Sequence, residues 1–177
     1  PVDSPSPLFA RVSQAVSPRF HLVREVASGG MGVVYEAADT ALRRRAAIKV
    51  LRPELFTAAF AARFVTEARA LAAVRHPHIV TIYDAQAKDG LSLLIMEFVE
   101  GPTLQQLLLQ GPLPPETVRT LGTQLASALM AVHGRGIVHC DVKPSNIFVE
   151  NDRALLGDFG IASLDDTTTT TTEAGGR

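Results

Sequence analysis

Short stretches rich in apolar residues, many of them β-branched or aromatic, run through the first half of the chain, and such stretches are typical of β-strands. The stretches are residues 20–26, 33–35, 46–51, 79–83 and 91–99. Turn-forming residues separate them, with a glycine cluster after the first stretch and Lys88-Asp89-Gly90 before the last. The pattern therefore predicts a five-stranded sheet.

A helical period interrupts the strands between the third and the fourth. Phe60, Phe64, Ala68 and Leu71 recur at intervals of three or four residues within an Ala- and Arg-rich segment. That spacing places the four side chains on one face of a helix. We expect an amphipathic helix over residues 54–74.

Helices dominate the second half. A capping box at Thr103 begins a short helix, and a longer helical pattern runs from Pro114 to Gly134. The longer helix has an apolar face, which we expect to pack against helices that lie later in the chain: Val118, Leu121, Leu125, Leu129 and Val132. Two short apolar stretches, 147–149 and 154–156, then predict a β-hairpin.

Strands first and helices afterwards predict an α+β architecture in two lobes. The sheet-rich lobe should cover residues 19–98, and the helical lobe residues 99–166. Residues 1–18 contain four Pro and four Ser, a composition that favours a linker or flexible segment. Leu8, Val12 and Val16 could nevertheless line a short helix there. Residues 167–177 begin with six consecutive threonines, and we expect this tail to be disordered.

Composition narrows the function classes. Among 177 residues, 17 Lys and Arg nearly balance 18 Asp and Glu, so we expect no nucleic-acid partner. The longest apolar run, 91–96, is far shorter than the roughly 20 residues of a membrane helix. A single cysteine, Cys140, and the lack of a secretory signal favour a cytoplasmic location. The chain begins without Met, so we expect a parent protein, which could be membrane-anchored elsewhere.

A glycine-rich turn joins the first two predicted strands. It reads Ala27-Ser28-Gly29-Gly30-Met31-Gly32 and is followed by the β-type run Val33-Val34-Tyr35. A strand, a glycine-rich turn and a second strand can lay backbone N–H groups over the phosphates of a nucleotide. Taken alone, the turn fits a flexible hairpin equally well.

Two charged residues fall on the predicted elements next to this turn. Lys49 lies on the third strand, and it is one of only three lysines among 17 basic residues. Glu67 lies on or beside the apolar stripe of the first long helix, where a carboxylate needs a partner. An ion pair with Lys49 would fix the ammonium group against phosphate oxygens, whereas a pair with Arg63 would be purely structural. Helix spacing does not choose between the two.

A denser group of polar residues lies between the long helix and the hairpin. The segment His139-Cys140-Asp141-Val142-Lys143-Pro144-Ser145-Asn146 is followed, twelve residues after Asn146, by Asp158-Phe159-Gly160. A carboxylate to accept a hydroxyl proton, a lysine for a phosphoryl group and two oxygen ligands for Mg²⁺ form a phosphoryl-transfer set. A zinc site from His133, His139 and Cys140 is the rival interpretation, but the spacing matches no usual zinc pattern.

From about Phe20 to Ile161 the chain resembles the eukaryotic-type Ser/Thr protein kinases, in particular their bacterial branch, in the order and spacing of these motifs. The resemblance implies ATP and Mg²⁺ as cofactors and proteins with Ser or Thr acceptors as partners. It implies that Lys49 contacts phosphates and pairs with Glu67, and that Asp141 is the catalytic base. It makes Lys143 the γ-phosphate contact, and Asn146 and Asp158 the metal ligands.

The same resemblance places the rest of the nucleotide. The phosphates lie beneath the turn residues Ala27, Ser28, Gly29, Gly30 and Gly32. The adenine lies between Val34 and Ala47 above and Phe148 below, with its edge facing Met96, Glu97 and Val99. Leu71, His139 and Phe159 stack as an apolar column between the lobes.

The chain departs from the family pattern in three places. Ala27 replaces the first glycine of the turn, and Cys140 replaces an arginine that commonly receives a phosphorylated activation loop. Only 17 residues follow Gly160, without an Ala-Pro-Glu motif, so we expect a fragment that is inactive alone. A catalytically silent nucleotide-binding or scaffolding module of kinase ancestry is the main alternative. A small-molecule kinase is disfavoured by Lys143-Pro144-Ser145-Asn146.

Overall fold

A computed structural model of the chain describes residues 6–30, 32–51 and 57–159. Its α+β architecture agrees with the sequence prediction. The elements before the interlobe segment are α1 (Pro7–Val16), β1 (Phe20–Gly29), β2 (Gly32–Asp39), β3 (Arg44–Leu51), α2 (Ala58–Ala72), β4 (Ile82–Lys88) and β5 (Leu91–Glu97). The elements after it are α3 (Leu104–Leu108), α4 (Pro115–His133), a 3₁₀ turn (Pro144–Asn146), β6 (Ile147–Glu150) and β7 (Arg153–Leu156).

The five predicted strands form one antiparallel sheet in the order β1-β2-β3-β5-β4. The fourth strand begins at Ile82, later than the sequence pattern predicts. The two preceding apolar residues pair elsewhere, because the Val80 N–H donates to Leu156 O at 2.9 Å and Ile79 forms an isolated bridge to Leu156. This pairing links the sheet-rich lobe to the β6–β7 hairpin.

Helix α2 packs its apolar stripe against the sheet, as its period predicts. Phe60, Phe64, Ala68 and Leu71 are all buried, and Thr57 caps the helix by accepting a hydrogen bond from the Phe60 N–H at 3.1 Å. The predicted start of the helix, at residue 54, lies outside the described residues.

Helix α1 covers the other face of the sheet, so the linker prediction is wrong for residues 7–16. Val12, Ala15 and Val16 are buried in a cluster with residues of β2, β3 and β5. Lys88 donates to the Ala15 carbonyl at 3.1 Å, which ties the end of α1 to β4. Composition favoured a linker, but a buried apolar face at helical spacing outweighs a Ser- and Pro-rich composition.

The predicted helices and hairpin of the second half are confirmed, with a complete capping box at Thr103. Leu121, Ala128 and Val132 of α4 are buried against the hairpin and the segment before β4. The expectation that this face awaits later helices is therefore wrong for Leu121 and Val132, whereas Leu125 and Leu129 are half-buried. Val118, at 54% exposure, is the part that stays uncovered within the described chain.

Within the described ranges, no helix combines the length and the apolar character needed to cross a bilayer. The predicted threonine-rich tail lies outside these ranges.

Candidate active site

Two adjoining cavities lie between the sheet and the helical part of the chain. The smaller, about 470 Å³, is lined by Lys49, Asp141, Lys143, Ser145, Asn146, Asp158 and the predicted turn residues Ala27, Ser28, Gly29, Gly30, Gly32 and Val34. The larger, about 660 Å³, is lined among others by Ala27, Val34, Ala47, Met96, Glu97, Val99 and Phe148. Apart from Glu67, every residue predicted from the sequence to bind ATP, to act in catalysis or to hold metal lines one of the two.

Lys49 reaches the opposite side of the smaller cavity. Its register on β3 places it opposite Val34 on β2 and Leu94 on β5, in the middle of the sheet. Its Nζ donates to Asp158 Oδ1 at 2.8 Å, with 12% of the lysine side chain and 34% of the aspartate side chain exposed. The pair joins the sheet to the segment that follows β7.

The predicted ion pair between Lys49 and Glu67 is not formed: within the described chain, the Lys49 ammonium pairs with Asp158 alone. Burial raises the pKa of the half-buried Glu67 carboxyl, and the positive charge of Arg63 offsets part of that rise. The partner whose charge acts on Glu67 is therefore Arg63, one helical turn earlier. The physical reason is that Asp158 offers Lys49 a nearer carboxylate.

The loop before the hairpin gathers three polar side chains at one point. Lys143 Nζ lies 2.7 Å from Asp141 Oδ2, and Asn146 Nδ2 donates to both Asp141 Oδ2 and Asp141 O at 2.9 Å. The hydrogen bond from Lys143, with a further one from Asn146, holds the pKa of the Asp141 carboxyl below its usual value. Asp141 is therefore ionised at neutral pH and can accept a hydroxyl proton.

His139 holds this loop against the end of β7. It is 1% exposed, its Nδ1 accepts from the Asp141 N–H at 3.2 Å, and its Nε2 lies 2.9 Å from Gly157 O. Since a carbonyl only accepts, Nε2 carries the proton and the ring is neutral. Burial lowers the pKa of His139 accordingly.

The same bonds decide against a zinc site. Both ring nitrogens of His139 are engaged, and the described chain holds no group of three or more His, Cys, Asp or Glu side chains placed to bind a metal. The ring of His139 instead packs on Phe159, with ring centroids 4.3 Å apart. Phe159 also packs against the cluster that contains Leu71, so these three predicted column residues share one apolar region.

Left-handed backbone marks two positions of the site. Cys140 has φ 64° and Asp158 has φ 48°, a conformation that non-glycine residues adopt at a cost of about 1–3 kcal/mol. Cys140 directly precedes the site residue Asp141, and Asp158 is itself a site residue. The local strain is held in place by the hydrogen bonds of His139 and Gly157.

The segment after β5 forms the edge of the larger cavity. Glu97 is fixed there because its N–H donates to Thr81 O at 2.8 Å and its carboxylate accepts from the Thr81 N–H at 3.2 Å. Within the described chain, Val99 forms no hydrogen bond through its backbone. A free peptide edge next to the apolar Ala47, Met96 and Phe148 suits a flat heterocycle with polar edges.

Sequence reasoning missed several lining residues, among them Val80, Ser145 and Gly157. A Cβ at Gly157 would lie 3.1 Å from Phe148 and 3.2 Å from Val80, so a side chain there would require these neighbours to shift by a few tenths of an ångström. Ser145 lay inside the quoted loop motif, and its position next to Asn146 was the available signal. Val80 gave no signal, because its place depends on the pairing with Leu156.

Comparisons with known proteins agree with this geometry. The protein kinase domain family matches residues 20–177. The serine/threonine-protein kinase pkn2 of Myxococcus xanthus is 44% identical over 162 residues, which cover 89% of this chain and 20% of that protein. The serine/threonine-protein kinase PrkC of Bacillus subtilis is 37% identical over 163 residues, or 90% of this chain and 25% of that protein.

The fold agrees as well. The crystal structure of the Mycobacterium tuberculosis PknI kinase domain matches with a TM-score of 0.73 at 34% identity, over 82% of this chain and 59% of that one. The chain thus spans a fifth to a quarter of the length of the curated relatives. Kinases of this family use ATP and a divalent metal in general. By its motifs, its fold and these matches, the chain belongs to the protein kinase domain family.

Proposed function

We propose that this domain transfers the γ-phosphoryl group of ATP to Ser or Thr hydroxyls of protein substrates. One observation carries the proposal: two lysines and three oxygen-bearing side chains line a single cavity beneath the glycine-rich turn. These are Lys49, Lys143, Asp141, Asn146 and Asp158. The combination of cations for phosphate and of oxygen ligands for a metal suits phosphoryl transfer.

The residues present fit Mg²⁺ and ATP. Mg²⁺ is usually held by one or two protein oxygens together with substrate phosphates, so a full protein cage is not needed. Asn146 donates its Nδ2 to Asp141, so its Oδ1 is available as a metal ligand. Asp158 accepts from Lys49 through Oδ1, so its Oδ2 is available as a metal ligand. When bound, MgATP would supply the transferable phosphoryl group and its charge neutralisation.

Each side chain has a distinct task. Asp141, ionised and oriented by Asn146, would accept the proton of the attacking hydroxyl. Lys143 lies on the same carboxylate and would offer its ammonium to the transferred group. Lys49 would position the other phosphates, while the free peptide edge at Val99 would recognise the adenine. A cytoplasmic location, where ATP is abundant and thiols such as Cys140 stay reduced, suits this activity.

The test is phosphoryl transfer from radiolabelled ATP to a mixed library of Ser- and Thr-containing peptides by the full-length protein. Asp141→Asn should lower kcat by a factor on the order of 10³ and leave the Kd for ATP within about twofold, because Asp141 acts on the hydroxyl. Asp89→Asn, an exposed aspartate in the β4–β5 turn, is the matched control and should change neither value.

Two outcomes would contradict the proposal. Nucleotide binding by the unmodified protein without any transfer would identify a catalytically silent nucleotide-binding module. Equal turnover by the Asp141→Asn variant and the unmodified protein would remove Asp141 from the chemistry.

A further inference from the structure

A cluster of charged side chains, separate from the two lysines and three oxygen ligands, reaches the larger cavity through Arg24 and Glu100. Its centre is Arg45 on β3, which shares one face of the sheet with Ala47 and Lys49 because side chains on a strand alternate. Arg45 therefore points to the same side of the sheet as the candidate nucleotide residues. Sequence reasoning gave it no role.

On the sheet side, Arg45 holds a buried carboxylate. Its Nε donates to Glu36 Oε1 at 2.9 Å, and its Nη2 lies 2.8 Å from the same oxygen. Glu36 is 7% exposed. Glu36 Oε2 accepts from Arg24 Nε at 2.9 Å, across the β1–β2 register. Because Glu36 has two guanidinium partners, the position of the Arg45 head group is fixed by the sheet.

On the other side, Arg45 holds the segment that follows β5. Its Nη1 pairs with Glu100 Oε1, and its guanidinium lies 4.1 Å above the centroid of the Phe98 ring. Phe98 and Glu100 both line the larger cavity and flank Val99. One side chain thus contacts both neighbours of the residue with the free peptide edge.

The same segment is held from below by β6. A Cβ at Gly101 would lie 2.1 Å from Val149 O, and the Val149 N–H donates to Pro102 O at 2.9 Å. The lower contact is made by the backbone and fixes the height of the segment. The upper contact is made by a side chain, that of Arg45.

We propose that Arg45 is a positioning residue for the nucleotide base: by joining Glu36 to Phe98 and Glu100, it sets the backbone at Val99 at the distance that recognises adenine. This inference rests on the proposed function. It differs from a purely structural role in one respect, since loss of Arg45 must weaken binding of the base and not of the phosphates. Lysine can replace it only in part, because a point charge cannot bridge two carboxylates as a planar guanidinium does.

Arg44 provides a matched control on the same strand. It lies on the opposite face, its Cζ is 3.4 Å from the centroid of the Tyr83 ring, and its Nε lies 3.6 Å from Asp39 Oδ2. Arg44→Met therefore removes the same two kinds of contact as Arg45→Met. Neither Tyr83 nor Asp39 lines the two cavities.

The experiment measures the Kd for adenosine, the KM for ATP and kcat with the full-length protein. Arg45→Met should raise the adenosine Kd and the ATP KM by the same factor, about tenfold, and change kcat by less than about twofold, because the lost binding is uniform. Arg45→Lys should recover part of that affinity. Arg44→Met should leave the adenosine Kd within about twofold, whatever its effect on thermal stability.

A second variant covers the case in which Arg45→Met fails to fold. Glu100→Gln removes only the exposed half of the pair, and it should raise the adenosine Kd by about threefold. An unchanged adenosine Kd in Arg45→Met or Glu100→Gln, or an equal rise in Arg44→Met, would overturn the inference alone. Failure of the unmodified protein to bind adenosine or ATP would instead overturn the proposed function, and this inference with it.

Discussion

The two walls of the smaller cavity are built in different ways. The lower wall consists of residues 139–146 and 157–159, and hydrogen bonds hold it together. His139 Nε2 donates to Gly157 O, the Gly157 N–H donates to Asn146 O, and Asn146 Nδ2 donates to Asp141 Oδ2, each at 2.9 Å. The upper wall is the glycine-rich turn, where a Cβ added at Gly29 or Gly30 would meet nothing within 4 Å in the described chain. The charges for chemistry are therefore held in place by the fold, whereas the cover over the phosphates keeps room to adjust.

Breaking the link between the walls should strongly reduce turnover. Lys49 extends from β3, which pairs with the strand after the glycine-rich turn, and bonds Asp158 of the lower wall. Lys49→Met should lower kcat by a factor on the order of 10², because it removes a positioned charge on the phosphates. The adenosine Kd should stay within about twofold, since the base lies in the larger cavity. Turnover at the unmodified rate, measured alongside adenosine binding, would show that the lysine has no such role.

The end of the upper wall at Gly32 should differ from its middle. Gly32 has φ 153°, and a Cβ there would lie 2.1 Å from Val50 O, so Gly32→Ala should cost about 2–3 kcal/mol of unfolding free energy. Gly30→Ala should change that free energy by less than about 1 kcal/mol, because space is open around it. Urea unfolding of both variants checks the contrast. Equal losses would mean that the turn is packed throughout.

The smallest predicted effect concerns pH and the lower wall. Burial lowers the pKa of His139, so the folded state binds fewer protons than the unfolded state below the usual histidine pKa of about 6.5. Stability should therefore fall as the pH drops from 7.5 to 5.5, and His139 should contribute part of that fall. In urea unfolding, His139→Asn should lose that part of the slope, whereas His21→Asn, an exposed control on β1, should keep it. An NMR titration that gave His139 an ordinary pKa would contradict the account.

Local patterns predicted most of the fold. The apolar period of α2 and the capping box at Thr103 each act within a few residues, and both elements form as expected. The start of β4 could not be predicted correctly, because Ile79 and Val80 pair with Leu156, which lies more than 70 residues later in the chain. For helix α1 the sequence left two interpretations, because Leu8, Val12 and Val16 have helical spacing but the Pro- and Ser-rich composition favours a linker, and the burial of this face depends on the sheet.

The candidate site divides along the same line. The location of the motif residues at one site could be predicted, because the strands and turns that carry them could be predicted. The partner of Lys49 could not be predicted from the sequence. The choice between Glu67 and Asp158 depends on how α2 packs against β3 and on the path of the chain after β7. The contacts of Arg45 with Glu36 and Glu100 could not be predicted either, because their prediction requires the register of the strands.

The most direct measurement is a crystal structure of the full-length protein with Mg²⁺ and a non-hydrolysable ATP analogue. The account predicts the adenine in the larger cavity with its edge at Val99, the phosphates beside Lys49 beneath the glycine-rich turn, and the metal on Asn146 and Asp158. A nucleotide bound outside these two cavities, or one whose phosphates point away from Lys49 and Asp158, would contradict it.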